Sequence, residues 1–161
     1  MIAQRIVPNL WFADQAEQAA QFYCSVFPRS RVVATSHYPP GAPGPEGSVL
    51  TVEVELDGQR LVLINGGPLF TPNEAVSLAV VCADQEEVDR YWAALTDGGE
   101  EGHCGWLKDR FGFSWQVYEE GIDELLGGDD PERAARAFAA MAPMRKLDSA
   151  ALRAAADGVP A

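Results

Sequence analysis

Histidine is almost missing from this chain of 161 residues: His37 and His103 are the only two. Imidazole is the commonest side-chain ligand for zinc and its neighbours, so a metal centre would have to be built from other groups. Cysteine is scarce as well. Cys24, Cys82 and Cys104 lie far apart and show no C-x-x-C spacing, which excludes a zinc knuckle or a dithiol redox motif. With no disulfide framework in view, a reducing compartment is expected, and the expected location is cytoplasmic. The chain lacks a leader with a basic start and an apolar stretch, and lacks a run of about 18 apolar residues, so no membrane partner is expected. Basic residues are half as numerous as acidic ones, 12 against 24, for a formal net charge of -12. Without a Lys/Arg cluster to focus positive potential, such a surface repels phosphate backbones, and nucleic acid is not an expected partner.

What the chain does contain is an echo. Ala13-Asp14-Gln15-x-Glu17 returns 70 residues later as Ala83-Asp84-Gln85-x-Glu87, each time between a short apolar run and a helical pattern. Two related modules, 4–68 and 74–119, followed by a tail over 120–161, are expected within one domain spanning 1–161. In the first module, 6–12 reads as a strand. Asp14 then has a carboxylate three residues on at Glu17, the spacing of a capping box. Ala16, Ala19, Ala20 and Tyr23 form one apolar helix face, and Pro28 ends the helix. Residues 31–38 suit a strand, and Pro39 to Pro45 can form neither helix nor ladder and reads as a rim loop. Residues 49–54 and 61–64 alternate on either side of Asp57-Gly58, a hairpin signal.

The second module opens with a strand over 77–81, and Asp84 with Glu87 repeats the capping box ahead of Val88, Tyr91, Trp92 and Leu95. Residues 102–108 and 113–118 read as strands joined by Asp109-Arg110-Phe111-Gly112, where Asp109 is expected to cap the turn through the backbone. Beyond Glu120 the pattern is helical, with Ile122, Leu125 and Leu126, a Pro131-led helix through Met141, and a closing helix over 147–155. These stripes are expected to pack on a sheet or a second subunit.

Several motifs carry a resemblance. Pro8-Asn9-Leu10-Trp11-Phe12, Phe22-Tyr23 with Phe27-Pro28, Asn65-Gly66-Gly67-Pro68, and above all Cys104-Gly105-Trp106-Leu107-Lys108-Asp109 with Ser114-Trp115-Gln116 resemble the PhnB-like group of the vicinal oxygen chelate superfamily, often labelled 3-demethylubiquinone-9 3-methyltransferase. The resemblance implies an α+β fold in which paired βαβββ modules form a cupped mixed sheet, the glyoxalase/bleomycin resistance fold, here with a C-terminal helical extension. It also implies a homodimer, since sheet edges need cover and the superfamily commonly pairs subunits.

The superfamily commonly holds a divalent ion with His and Glu side chains from both modules. In this chain the matching places fall near Asn9, Ser77, Asn65 and Gln116, whose amides and hydroxyl are weak ligands for zinc or nickel, so no metal is expected. Nor is a cofactor: a methyltransferase of the usual kind needs a Gly-rich loop after the first strand for S-adenosylmethionine, and none is present. The expected site set is Asn9, Trp11, Asn65, Ser77, Trp106 and Gln116 for a small, planar or aromatic ligand, with amides orienting it and indoles covering it. Cys104, with Lys108 an even number of residues away on the same strand face, is the catalytic candidate, a thiol nucleophile beside a cation; its alternative reading is a small buried hydrophobe. Two functions follow. One is a metal-independent small-molecule enzyme of the glyoxalase superfamily, the other a non-catalytic binding or sequestering protein of bleomycin-resistance type.

Overall fold

The computed structural model describes residues 4–159, in two compact units that divide between Pro72 and Asn73. In the first unit, β1 (Asn9–Phe12) leads into α1 (Ala16–Val26), and β2 (Arg31–His37), β3 (Val49–Leu56) and β4 (Gln59–Asn65) follow. The sheet order is β1-β4-β3-β2, with β1 parallel to β4 and the other neighbours antiparallel. Alternation sorts its residues. Leu10, Phe12, Val52, Val54, Leu61 and Leu63 are buried on the side of α1, whose own buried face is Ala16, Ala19, Ala20 and Tyr23. Three alanines let the helix lie close to the sheet, and each large apolar side chain so buried contributes about 1.5–3 kcal/mol. The hairpin between β3 and β4 turns at Asp57 (φ 46°) and Gly58 (φ 89°), the left-handed pair that a two-residue loop with the strands' own twist demands.

The second unit repeats the topology. β5 (Ser77–Cys82), α2 (Gln85–Thr96), β6 (Glu100–Glu101), β7 (Trp106–Lys108) and β8 (Ser114–Glu119) form a sheet ordered β5-β8-β7-β6, with β5 parallel to β8. The chain is thus built of paired βαβββ modules with two mixed sheets and a helical extension, α3 (Ile122–Gly127), α4 (Pro131–Met141) and α5 (Ser149–Ala156). The extension has its own small core of Ile122, Leu125, Ala137, Leu147, Leu152 and Ala156. Pro131 occupies the first turn of α4, where its missing N–H costs nothing, and Asp130 accepts from Glu132 and Arg133 N–H.

Two local expectations are corrected. The echo predicts the same cap for both helices, and only α2 has it: Asp84 Oδ1 accepts from Glu87 N at 2.9 Å while Glu87 Oε2 accepts from Ala83 N at 3.0 Å. At α1 the N-cap residue is Gln15 and makes no side-chain cap bond. There the amide of Asn65, at the end of β4, takes over: its Oδ1 accepts from Ala16 N at 2.8 Å and its Nδ2 donates to Val49 O at 3.1 Å. A strand that ends beneath a helix start supplies the acceptor, leaving Asp14 exposed.

The second correction concerns 102–108, expected to be one strand. Only Trp106–Lys108 is strand. Cys104 and Gly105 both adopt left-handed backbone, φ 55° and 82°, and their N–H groups donate to Met144 O and Arg145 O at 2.8 and 2.7 Å. The returning tail captures these amides, and the pleat that would have aligned Cys104 with Trp106 is broken.

The caps separate in stability. Asn65→Ala should cost about 1–2 kcal/mol, the worth of a lost N-cap plus a second backbone bond, while Asp14→Ala should stay within about 0.5 kcal/mol. Denaturant unfolding of the two variants beside the parent checks this; equal losses would restore Asp14 as the cap.

Candidate functional site

On each sheet, the residues that alternate away from the helix form a face with a different chemistry from the core. In the first unit that face carries Asn9 and Trp11 from β1. In register beside them lie Val62 and Glu53 next to Asn9, and Ile64 and Thr51 next to Trp11. Glu53 pairs with Arg60 and Arg31 with Glu55, so much of this face is already neutralised by its own ion pairs. Trp11 is engaged too. Its indole N–H donates to Gly67 O at 2.8 Å, its ring lies edge-on to Phe70 with centroids 5.0 Å apart, and it covers Gly66 so closely that a Cβ there would collide with the ring. The Trp11 indole N–H is therefore engaged within the unit and not on offer to a ligand. Asn65 shares the side of Phe12, its register partner, and so faces α1 and not Asn9 and Trp11.

A separate hollow of about 410 Å³ lies in the same unit between the start of α1 and the Pro-rich loop, with Tyr38, Pro43, Pro45 and Asn65 in its wall. Tyr38 is fixed there by donating to Asn65 O at 2.6 Å, and Gly44 of the loop rests on its ring.

The second unit gathers more of the expected set. Ser77, Trp106, Lys108 and Gln116 share the face away from α2, because Trp106 is in register with Gln116, Lys108 with Ser114, and Ser77 with Ser114. Gln116 Nε2 donates to Ser77 Oγ at 2.8 Å, which orients both groups. Tyr118, two residues along on the same face, packs into the tail cluster, so the helical extension closes that end. Lys108 is half-buried, its Nζ 2.6 Å from Glu74 Oε1. That hydrogen bond raises the Lys108 pKa and lowers that of Glu74, so both stay charged at neutral pH. Lys108 is therefore a cation and a hydrogen-bond donor here, not a base.

Cys104 leaves the set. Its left-handed turn directs the thiol to the tail, where Sγ lies 3.7 Å from Met141 O. Lys108 is held by Glu74, so the expected pairing of thiol and ammonium on one strand face is not formed.

The opposite side of β8 explains why the alternation is so sharply held. Trp115 is buried and its indole N–H donates to Asp109 Oδ2 at 2.8 Å, while Asp109 Oδ1 accepts from Phe111 N and Phe113 N. Asp109, only 2% exposed, is the turn cap expected of it, with a buried indole as a further partner. Ser114 was not singled out in the sequence, although it shares the parity of Gln116 and so belongs to the same face. Glu74, which precedes β5, and Glu100, in register with Lys108 from the two-residue strand β6, had no local signal.

Among the described residues no three His, Cys, Asp or Glu side chains converge in a way that could hold a metal ion, and of the four expected ligand places Asn9, Asn65, Ser77 and Gln116, the last two are bonded to one another. Amides and hydroxyls such as these are weak ligands for zinc or nickel. No helix among the described residues is long and apolar enough to cross a membrane.

Residues 4–118 match the family model described as 3-demethylubiquinone-9 3-methyltransferase. Among solved structures the chain is similar to the PhnB protein from Bacillus cereus, at 34% identity over 72% of this chain and 99% of that one, with a TM-score of 0.66. It also shares its fold with protein PA1353 from Pseudomonas aeruginosa, at 20% identity over 73% and 98% of the two chains and a TM-score of 0.61. The fosfomycin resistance protein FosX from Listeria monocytogenes shares it at 16% identity, 79% and 99% coverage and a TM-score of 0.54. No curated protein sequence matches the chain.

The remaining buried thiol yields a prediction. Burial pushes the Cys82 pKa up from 9.0 to about 12, with nearby Glu87 adding to the shift. Native protein should leave Cys82 unlabelled by iodoacetamide at pH 8, and its labelling should appear only on unfolding. Because the unfolded thiol ionises first, the stabilisation from burying it protonated is intact below pH 9 and is lost as pH rises from 9 towards 12. Rapid labelling of Cys82 in native protein would contradict this, as read by peptide mass mapping.

Proposed function

We propose that this chain, which belongs to the 3-demethylubiquinone-9 3-methyltransferase family, the PhnB-like group of the vicinal oxygen chelate superfamily, binds a small planar molecule on the open face of its second sheet, without a metal ion. The observation that carries the reading is the gathering of the Ser77–Gln116 hydrogen-bonded couple, the half-buried indole of Trp106 and the charged Lys108 on that one face. An indole gives stacking area, the couple gives direction, and the charged pair beside them gives electrostatic selectivity.

Binding is favoured over chemistry as the primary activity. The thiol expected to act as nucleophile is turned to the tail, and Lys108 keeps its proton at neutral pH. Methyl transfer, which the family description names, is left out of the reading. The glycine turn that follows β4 is filled by the Trp11 ring and is no cradle for a nucleotide-like methyl donor. Asn9 and Trp11 belong to the reading as a second, smaller patch on the first unit's open face. A cytoplasmic location is retained from the cysteine usage.

A homodimer is also part of the proposal. β2 is exposed along its whole length, with Val32 48% and Val33 39% accessible at a free sheet edge. An edge of that kind invites cover by a second copy. Light scattering should return about twice 17.4 kDa at micromolar concentration; a monomer there would remove this part of the proposal.

The binding claim is tested by the indole N–H resonances of the four tryptophans during titration with benzamide, a neutral planar amide. The Trp106 signal should shift to saturation while that of Trp115 stays still. Trp106→Ala should weaken the interaction by about tenfold, and Gln116→Ala by somewhat less, whereas Cys104→Ala should leave it unchanged. An unmoved Trp106 signal, or turnover of a hydroxyquinone with S-adenosylmethionine, would contradict the reading.

A further inference from the structure

One polar group of the second sheet has no partner. Ser114 is 3% exposed, and its Oγ makes no hydrogen bond among the described residues. An unsatisfied buried hydroxyl costs roughly 1–3 kcal/mol, and native structures hold few of them. Ser114 lies in the wall of a hollow of about 150 Å³ whose other walls include Trp106, Lys108, Glu74 and Glu100. A hollow of that size holds one six-membered ring or a small polar head group.

Charge decides what enters. Glu74 and Lys108 already neutralise one another at 2.6 Å. Glu101 is also engaged, accepting from the Trp92 indole N–H at 2.9 Å and facing Arg145 at 3.6 Å. Glu100 has no such partner: its carboxylate makes no hydrogen bond or ion pair among the described residues and acts on Lys108 only through its charge. An anion entering here would have to displace Glu74 from Lys108 and would then share the hollow with three carboxylates and one ammonium. A cation meets one uncompensated carboxylate, an indole and, in the wall behind them, an unpaired hydroxyl oxygen shielded from bulk water. The chain's net charge of -12 adds a long-range attraction of the same sign.

We infer that the ligand of this face is an organic cation, an ammonium or amidinium of small size or the cationic end of a planar molecule, seated between Glu100 and Trp106 with an N–H donated to Ser114 Oγ. The inference rests on the reading of the open face as a binding surface and adds the charge of the ligand. The planar body then lies along Trp106 towards Gln116, and the two bonded groups there read its polar edge.

Three isosteric probes separate the two levels of the argument: benzamidinium, benzamide and benzoate, each titrated into the full chain at low salt and followed at the Trp106 indole resonance. Benzamidinium should bind at least about fivefold more tightly than benzamide, the effect of one nearby carboxylate at a half-exposed site, and benzoate should bind most weakly. Glu100→Gln should remove that preference, Lys108→Gln should enlarge it by freeing Glu74, and Ser114→Ala should weaken benzamidinium alone. Equal binding of benzamidinium and benzamide, or tighter binding of benzoate, would overturn the inference and leave the binding face standing. Failure of all three probes to move Trp106 would overturn the binding face itself. Glu100 is on the surface, so its conservative variant is expected to fold, and retention of the parent's far-ultraviolet dichroism confirms it.

Discussion

The buried hydrogen bond from the Trp115 indole to Asp109 is the interaction on which the candidate site depends. It pins β8 at one register, with Trp115 and Val117 committed to the helix side. Strand periodicity then commits Ser114, Gln116 and Tyr118 to the other side, where they meet Ser77 from β5 and Trp106 and Lys108 from β7. A slip of one residue would bury the amide and expose the indole. The same carboxylate closes the turn that delivers β8, so one residue sets both the start of the strand and its facing.

The helical extension is the second constraint. Its backbone carbonyls at Met144 and Arg145 take the N–H groups of Cys104 and Gly105, which forces both into left-handed backbone and shortens β7. A Cβ at Gly105 would press on Val117 O and Leu147, so the close approach of tail to strand needs a glycine. Gln85, in the first turn of α2, bonds to Leu147 O and receives Ser149 N, binding the extension to the helix as well. The extension thus shapes the site indirectly, by removing Cys104 from the open face and packing over Tyr118.

Much of this was legible in the sequence. Ser77 and Gln116 came from the match to the superfamily's ligand places, and alternation put Trp106 and Lys108 on one strand face; the register shows that parity, because it is a local property that survives small errors in strand ends. Asp109 was recognisable as a turn cap for the same reason. What failed were the two local readings that a distant partner overrides. The α1 cap comes from Asn65, 49 residues away from the amide it satisfies, and no local pattern announces it. The Cys104 turn is imposed by the tail, so the strand pattern read through it without warning. The resemblance to the PhnB-like group identified the fold, and it could not supply the charge environment made by Glu74 and Glu100.

In the proposed reading, a polar and aromatic face with no metal ion recognises the ligand. Elemental analysis of protein purified without added metal or chelator, paired with a crystal structure of the same sample, tests it most directly. Divalent metal well below one equivalent per chain is expected, with Gln116 still bonded to Ser77. A stoichiometric ion coordinated by either of those side chains would contradict it.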